Sequence, residues 1–162
     1  MQEHPFKPIV FKNSKTLILG SFPSIKSFEN SFYYAHPKNQ FWKILSAISG
    51  YPINNKDQKI WLLKELNLGL WDMVKSCDRE NSSDANLQNV VPNNIEALLK
   101  EYPQIKQIAF TSRFAQKVFK KYFKNLKIEQ FYLPSPSPAY AAISFEDKCK
   151  VYKEKLIDLG NR

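Results

Sequence analysis

The chain has 162 residues, 43% of them apolar and 14% aromatic, enough to bury one sizeable core and to exclude wholesale disorder. Two cysteines without a C-x-x-C spacing exclude a disulfide framework, an all-cysteine zinc site and a four-cysteine iron–sulfur cluster, and two histidines leave little for a zinc hydrolase. The net charge of +9, from 24 basic and 15 acidic residues, points either to a polyanionic partner such as nucleic acid or to a plain lysine-rich surface.

Residues 1–10 lack the apolar stretch of a secretory signal, and no apolar run approaches the roughly 18 residues of a membrane span, so a cytoplasmic chain with no membrane contact is expected. Residues 15–20, K-T-L-I-L-G, read as a strand covered on both faces. A long loop, 21–38, follows. Phe41, Ile44, Leu45 and Ile48 repeat at helical spacing and predict a helix over 39–49 that stops at Gly50. Ile60, Leu63 and Leu66 predict a second over 56–66. A short apolar segment, 68–71, ends at Asp72. A polar loop is expected over 75–94, then a helix over 94–101 stopped by Pro103. A strand over 105–110, a helix over 113–123 and a strand over 126–133 come next. A last helix is expected from Ser144, in a capping-box-like S-F-E-D, to about residue 159.

There is no repeat, low-complexity tract or long linker, so residues 1–162 are expected to form one domain. Alternating strands and helices predict an α/β fold, a mostly parallel sheet between two helical layers. Ligands of such sheets bind beyond the carboxyl ends of the strands. Four places should lie there: residues 20–24, Asp72, residues 111–113 and residues 133–138.

The densest chemistry lies in residues 31–42, S-F-Y-Y-A-H-P-K-N-Q-F-W, where five aromatics surround His36, Lys38 and Asn39. Interleaved aromatic and polar residues suit a stacking platform for nucleobases. Phe41 and Trp42 equally suit the first core positions of the following helix. Asn39 is either a catalytic amide or a helix cap. Its carbonyl can hold a water and its NH2 can donate to a base. His36 either donates to a ligand or braces the loop. Asp72 is an acceptor when ionised, suited to a lactam N–H, or it is a loop cap. Arg113 touches a base or phosphate, or only opens its helix. Two proline-stiffened loops offer Ser21 and Ser24, and Ser135 and Ser137, to phosphates, with little entropy to lose on binding. The charge is uneven: +5 over residues 1–71, −3 over 72–99, +6 over 100–130 and +1 over 131–162. The basic stretch would attract a polyanion regardless of sequence.

Together the strings G-S-F-P-S-I-K-S (20–27), F-Y-Y-A-H-P-K-N-Q-F-W (32–42), G-L-W-D (69–72) and L-P-S-P-S-P (133–138) resemble the uracil-DNA glycosylase superfamily. They are most similar to its hypoxanthine (deoxyinosine) branch, the sixth family. The resemblance covers roughly residues 16–157. It implies an α/β/α sandwich that excises a deaminated base, most readily hypoxanthine and secondarily uracil, from DNA. It implies that no cofactor and no metal is needed; a monomer is expected.

Sister families carry a catalytic Asp or Asn where this chain has Phe22, and the resemblance moves the catalytic amide to Asn39. Sister families carry a His where this chain has Leu133, so a His contact to the base is absent or comes from His36. Phe22, Tyr34, Phe41, Asp72 and Arg113 are candidates to touch the base. Ser21, Ser24, Lys38, Ser135 and Ser137 are candidates for phosphate. Rival readings are a uracil- or mismatch-specific glycosylase, a non-catalytic single-strand DNA-binding module, a small-molecule hydrolase on a flavodoxin-like sheet, and a lyase using Lys38.

Overall fold

The computed structural model describes residues 2–79 and 87–158. In chain order the elements are β1 (Gln2–Glu3), β2 (Thr16–Gly20), α1 (Ile25–Asn30), α2 (Phe41–Ser49), α3 (Lys56–Glu65), β3 (Leu68–Asp72) and β4 (Val74–Asp78). They continue with β5 (Gln88–Pro92), α4 (Ile95–Glu101), β6 (Gln107–Phe110), α5 (Arg113–Tyr122), β7 (Glu129–Tyr132) and α6 (Phe145–Tyr152).

Every residue of β2 is buried, as its apolar run predicts for a strand covered on both faces. Successive side chains alternate between two cores. Leu17 and Leu19 join the core formed with Ile95, Leu98, Val118 and Phe119 of α4 and α5. Ile18 joins the other, with Ile44, Leu45, Leu62, Leu63 and Tyr152 of α2, α3 and α6. The result is the expected α/β/α arrangement on a four-stranded parallel sheet in the order β3-β2-β6-β7. After β2 the chain steps to one side as β3 and then crosses to the other as β6. The switch point of the sheet therefore lies beside the end of β2.

Several helix boundaries are set by side-chain caps, of which Ser144 is the one expected from sequence. Asn55, Asn94, Ser112 and Ser144 each accept a backbone N–H from the first turn of α3, α4, α5 and α6. Gly50 ends α2 at φ 80°, in the left-handed region that favours glycine.

Two expectations are corrected. The loop 21–38 contains α1, capped by Ser24. The polar loop 75–94 is largely an antiparallel hairpin, β4 with β5, and β1 adds to its free edge through Gln2 opposite Cys77 and Glu3 opposite Ser76. In β4, Val74, Ser76 and Cys77 are buried while Lys75 is exposed, a period too short and too polar to stand out in sequence. Residues 80–86 of that expected loop lie outside the described residues. The last helix widens after Tyr152 into a π-helical segment, Lys153–Asp158, and its expected end at 159 also lies outside them.

Helix α6 fastens the loop after β7. The Tyr152 hydroxyl donates to the Pro134 carbonyl at 2.6 Å, and burial raises its pKa, so it stays a donor. Lys148 Nζ donates to Gln40 Oε1 and to the Tyr140 carbonyl, each at 2.8 Å. Replacing the cap in Ser144→Ala should therefore cost about 0.5–2 kcal/mol of stability, read as a lower denaturant midpoint at unchanged slope.

Candidate active site

The carboxyl ends of the four parallel strands open into one cavity of about 590 Å³. This lies in the range of roughly 300–1,000 Å³ usual for small-molecule sites. All four loop positions expected there contribute: residues 20–24, Asp72, Thr111 with Ser112, and residues 135–138. His36 and Asn39 enter from the segment preceding α2, with Tyr33, Tyr34, Ala139 and Tyr140 beside them.

Parallel pairing sets Gly20 opposite Asp72 at the strand ends. A Cβ on Gly20 would lie 2.6 Å from Asp72 Oδ1 and 2.8 Å from the Tyr34 hydroxyl, so only glycine leaves room for both. The Tyr34 hydroxyl shares a 2.8 Å hydrogen bond with Thr111 Oγ1. Tyr34 itself sits in the left-handed region at φ 52°, uncommon for a bulky residue and often a mark of a functional site.

Asp72 is 4% exposed. Its backbone carbonyl accepts from Asn93 Nδ2 at 2.8 Å. Its Oδ2 meets Nε2 of His4 at 2.8 Å. Because an ionised carboxylate only accepts, Nε2 carries the proton in this pair. His4 Nδ1 then either donates to the Phe6 carbonyl at 2.9 Å or accepts the Phe6 N–H at 3.2 Å. Burial, and after it the negative charge of Asp72, raises the pKa of neighbouring Tyr33, keeping that phenol neutral.

His4 was not among the residues expected at the site. Its only sequence signal is that it is one of two histidines in a chain whose other histidine sits in the dense motif.

Asn39 Oδ1 accepts the Phe41 N–H at 2.9 Å, which fixes which end of the amide is the carbonyl. The expected helix-cap role is corrected: Gln40 is the N-cap of α2, and Asn39 stands one residue before it, closing a turn onto the first residue of the helix. That bond leaves the second lone pair of Oδ1 and the Nδ2 group for a ligand. His36 Nδ1 accepts the Lys38 N–H at 3.0 Å. With Nδ1 taken up as an acceptor, the N–H of the ring is on Nε2, a donor on a residue that lines the cavity.

The match to known proteins is consistent with this geometry. The profile of the uracil DNA glycosylase superfamily matches residues 8–160. The chain belongs to the uracil DNA glycosylase superfamily. A relative from Methanosarcina barkeri named hypoxanthine DNA glycosylase is 32% identical over 115 residues, covering 70% of this chain and 73% of the relative. One of the same name from Methanosarcina acetivorans is 30% identical over 141 residues, covering 86% and 89%. The solution NMR structure of a candidate uracil DNA glycosylase from Methanosarcina acetivorans superposes with a TM-score of 0.79 at 28% identity, covering 94% of this chain and 97% of that one.

Within this superfamily fold, some expected residues are not at the cavity. Phe41 is fully buried and its ring is stacked behind Tyr34 at 4.1 Å, so it supports Tyr34 and is screened from a base. Phe32 and Trp42 are likewise in the core, stacked on each other at 5.6 Å. The aromatic-rich segment is thus mostly hydrophobic core, and only Tyr33 and Tyr34 of its five rings reach the cavity. Arg113 is exposed, lies 3.7 Å over the Tyr132 ring and is outside the cavity lining. Lys38 is exposed and also outside it. Leu133 is fully buried and does not line the cavity.

Phe22 lines the cavity wall, 5.6 Å from the Phe28 ring and beneath the Arg79 guanidinium at 4.9 Å. The four serines line the cavity with part of their hydrogen-bonding capacity engaged. Ser24 Oγ caps α1 by accepting from Ser27 N and donates its proton to Ser27 Oγ at 3.2 Å, so against expectation it has no donor left for a phosphate; Ser135 Oγ accepts from Ser137 N, and Ser137 Oγ accepts from Ala139 N. Those two loop N–H groups are therefore already used, and the hydroxyl protons are the donors that Ser135 and Ser137 retain. Ser21 is buried in the lining.

The basic stretch is also displaced from the cavity. Helix α5 starts at the cavity end, and Lys120 and Lys121 are in its last turn. At 1.5 Å per residue they sit about 10 Å further along the helix, and Lys124 and Lys127 lie beyond its end.

Among the described residues no group of three or more His, Cys, Asp or Glu is placed to hold a metal, and no helix is long and apolar enough to cross a membrane. Gly20→Ala should force Asp72 and Tyr34 apart and cost about 1–3 kcal/mol, read as a lowered melting temperature, because the nearest atoms belong to side chains already fixed by partners.

Proposed function

We propose that this chain is a monofunctional DNA glycosylase that flips a deaminated base, hypoxanthine above all, out of DNA and hydrolyses its N-glycosidic bond. The observation that carries this reading is the convergence of a buried carboxylate, Asp72, with the amide of Asn39 and the imidazole of His36 in one cavity. The two relatives named hypoxanthine DNA glycosylase support it.

A base inside a duplex is out of reach, so it must rotate into the cavity at a cost of a few kcal/mol. Hypoxanthine and uracil each offer a lactam N–H, and Asp72 Oδ1 is an acceptor for it. Adenine and cytosine offer a lone pair at the same edge, which would leave two acceptors opposed in a dry site at a cost of about 1–3 kcal/mol. Guanine and thymine also carry that N–H, so the shape of the cavity must reject guanine's amino group and thymine's methyl.

Cleavage builds positive charge on the sugar and negative charge on the departing base, and preorganised dipoles stabilise both. Asn39 cannot take a full proton. The free lone pair of its Oδ1 orients a water toward C1′ while its Nδ2 group donates to the base. The N9–C1′ bond breaks with its electron pair on the base, water oxygen bonds to C1′, and the water's proton passes to solvent or the base. His36 donates from Nε2 to the charge that develops on the base. Ser135 and Ser137 donate their hydroxyl protons to backbone phosphates, and Phe22 and Tyr34 form the walls of the cavity. We further infer that the protein acts as a monomer.

Uracil is the second substrate on this reading, because Asp72 would accept its N3–H as readily. A non-catalytic single-strand binder is disfavoured because Phe32, Phe41 and Trp42 are buried and cannot stack on bases.

The test is incubation with oligonucleotides bearing one hypoxanthine, uracil, thymine or xanthine, followed by alkali. Hypoxanthine should give the fastest strand cleavage. No alkali-labile site with any of the four overturns the proposal. Asn39→Ala should lower the single-turnover rate at least about a hundredfold while keeping DNA affinity. Its loss of stability should stay within the roughly 0.5–2 kcal/mol of one helix-start bond. Wild-type turnover in that variant would leave Asn39 a structural role only.

A further inference from the structure

We propose that His4 is a positioning residue for base selection: by holding Asp72 Oδ2, it leaves Oδ1 as the one oxygen presented to the flipped base. The inference rests on the base-reading role of Asp72 given above and deepens it. His4 lies before residues 8–160, the stretch matched to the superfamily, and outside every motif.

The two side chains form a nearly dry pair, 3% exposed for His4 and 6% for Asp72, with Nε2 and Oδ2 2.8 Å apart. Water therefore cannot replace either partner cheaply. The histidine is itself held from several directions. Its backbone N–H donates to the Lys75 carbonyl at 2.7 Å, extending the pairing of β1 with β4. Its Nδ1 is engaged by the Phe6 backbone. Its ring packs 6.0 Å from Phe22 and 5.7 Å from Tyr33, both of which line the cavity. The Tyr33 hydroxyl donates to the Lys7 carbonyl at 2.8 Å, tying the same N-terminal strap down a second time.

A carboxylate free to turn could offer either oxygen over a range of directions. Bonded through Oδ2, Asp72 keeps Oδ1 over Gly20, beside Tyr34 and Thr111. The strap thereby orients the atom that distinguishes a lactam N–H from a ring-nitrogen lone pair. The same bond determines what Asp72→Asn would present. His4 Nε2–H takes the amide carbonyl, so the NH2 group turns toward the base.

The test compares single-turnover excision of hypoxanthine and adenine from one duplex context. The variants are His4→Gln, His4→Asn, Asp72→Ala and the double variant His4→Asn with Asp72→Ala. Melting temperature and affinity for undamaged DNA serve as controls. The glutamine amide reaches about as far as Nε2, whereas the asparagine amide reaches only as far as Nδ1. His4→Asn should lose about ten- to a hundredfold in hypoxanthine excision at unchanged DNA affinity, and His4→Gln should recover most of it. In the Asp72→Ala background, His4→Asn should cause no further loss.

Wild-type excision by His4→Asn, with Asp72→Ala slow, overturns the proposal and leaves the reading of Asp72 intact. Equal losses in His4→Gln and His4→Asn, or a full additional loss in the double variant, also overturn it. Wild-type hypoxanthine excision by Asp72→Ala overturns the reading of Asp72 and the role of His4 together. Should His4→Asn melt below the assay temperature, Asp72→Asn decides. Slower hypoxanthine excision with gained adenine excision supports the pairing, and unchanged values for both overturn it.

Discussion

The parallel pairing that sets Gly20 against Asp72 is the constraint on which the site depends. Beyond the end of β2 the absent side chain leaves a hollow, and Asp72 Oδ1 and the Tyr34 hydroxyl close in around it. The rest of the site is arranged from there. Thr111 holds Tyr34, and Phe41 backs the Tyr34 ring. Asn39 accepts the backbone N–H of Phe41 itself, so the placement of the amide and the placement of the ring are one structural fact.

The opposite wall is supported through longer links. The loop after β7 has no regular structure of its own, yet it is fastened on two sides. Gln40 N–H donates to the Pro136 carbonyl at 2.9 Å, and Lys148 joins the Gln40 side chain to the Tyr140 carbonyl. Burial lowers the pKa of Lys148, the cost of using an ammonium group as an internal brace. Prolines and serine turns stiffen the same loop. Order at this rim is built before any DNA arrives, which limits the entropy that binding would remove.

Much of this was legible in the sequence because it rests on local signals. The apolar run of β2, the helical spacing from Phe41 to Ile48, and the cap at Ser144 mark elements by short-range chemistry. The four strand-end loops follow from the α/β order alone. Phe41 was harder, because a ring at the start of a helix can face either the core or a ligand, and only the stacked Tyr34 decides it. The hairpin of β4 and β5 was hidden by its polar composition. His4 could not be read at all: its partner lies 68 positions away, and the contact exists only because two residues of β1 add to the edge of β4. Local patterns do not encode a pairing of that kind.

The central claim is that Asp72 Oδ1 reads the lactam edge of a flipped base. The most direct measurement is a crystal structure of the protein with a duplex carrying hypoxanthine on a 2′-fluorinated, uncleavable sugar. The account predicts the base inside the cavity, N1 within about 3.2 Å of Asp72 Oδ1, and His4 still on Oδ2. A base that enters the cavity with another edge toward Asp72, or that binds outside the cavity, would contradict it.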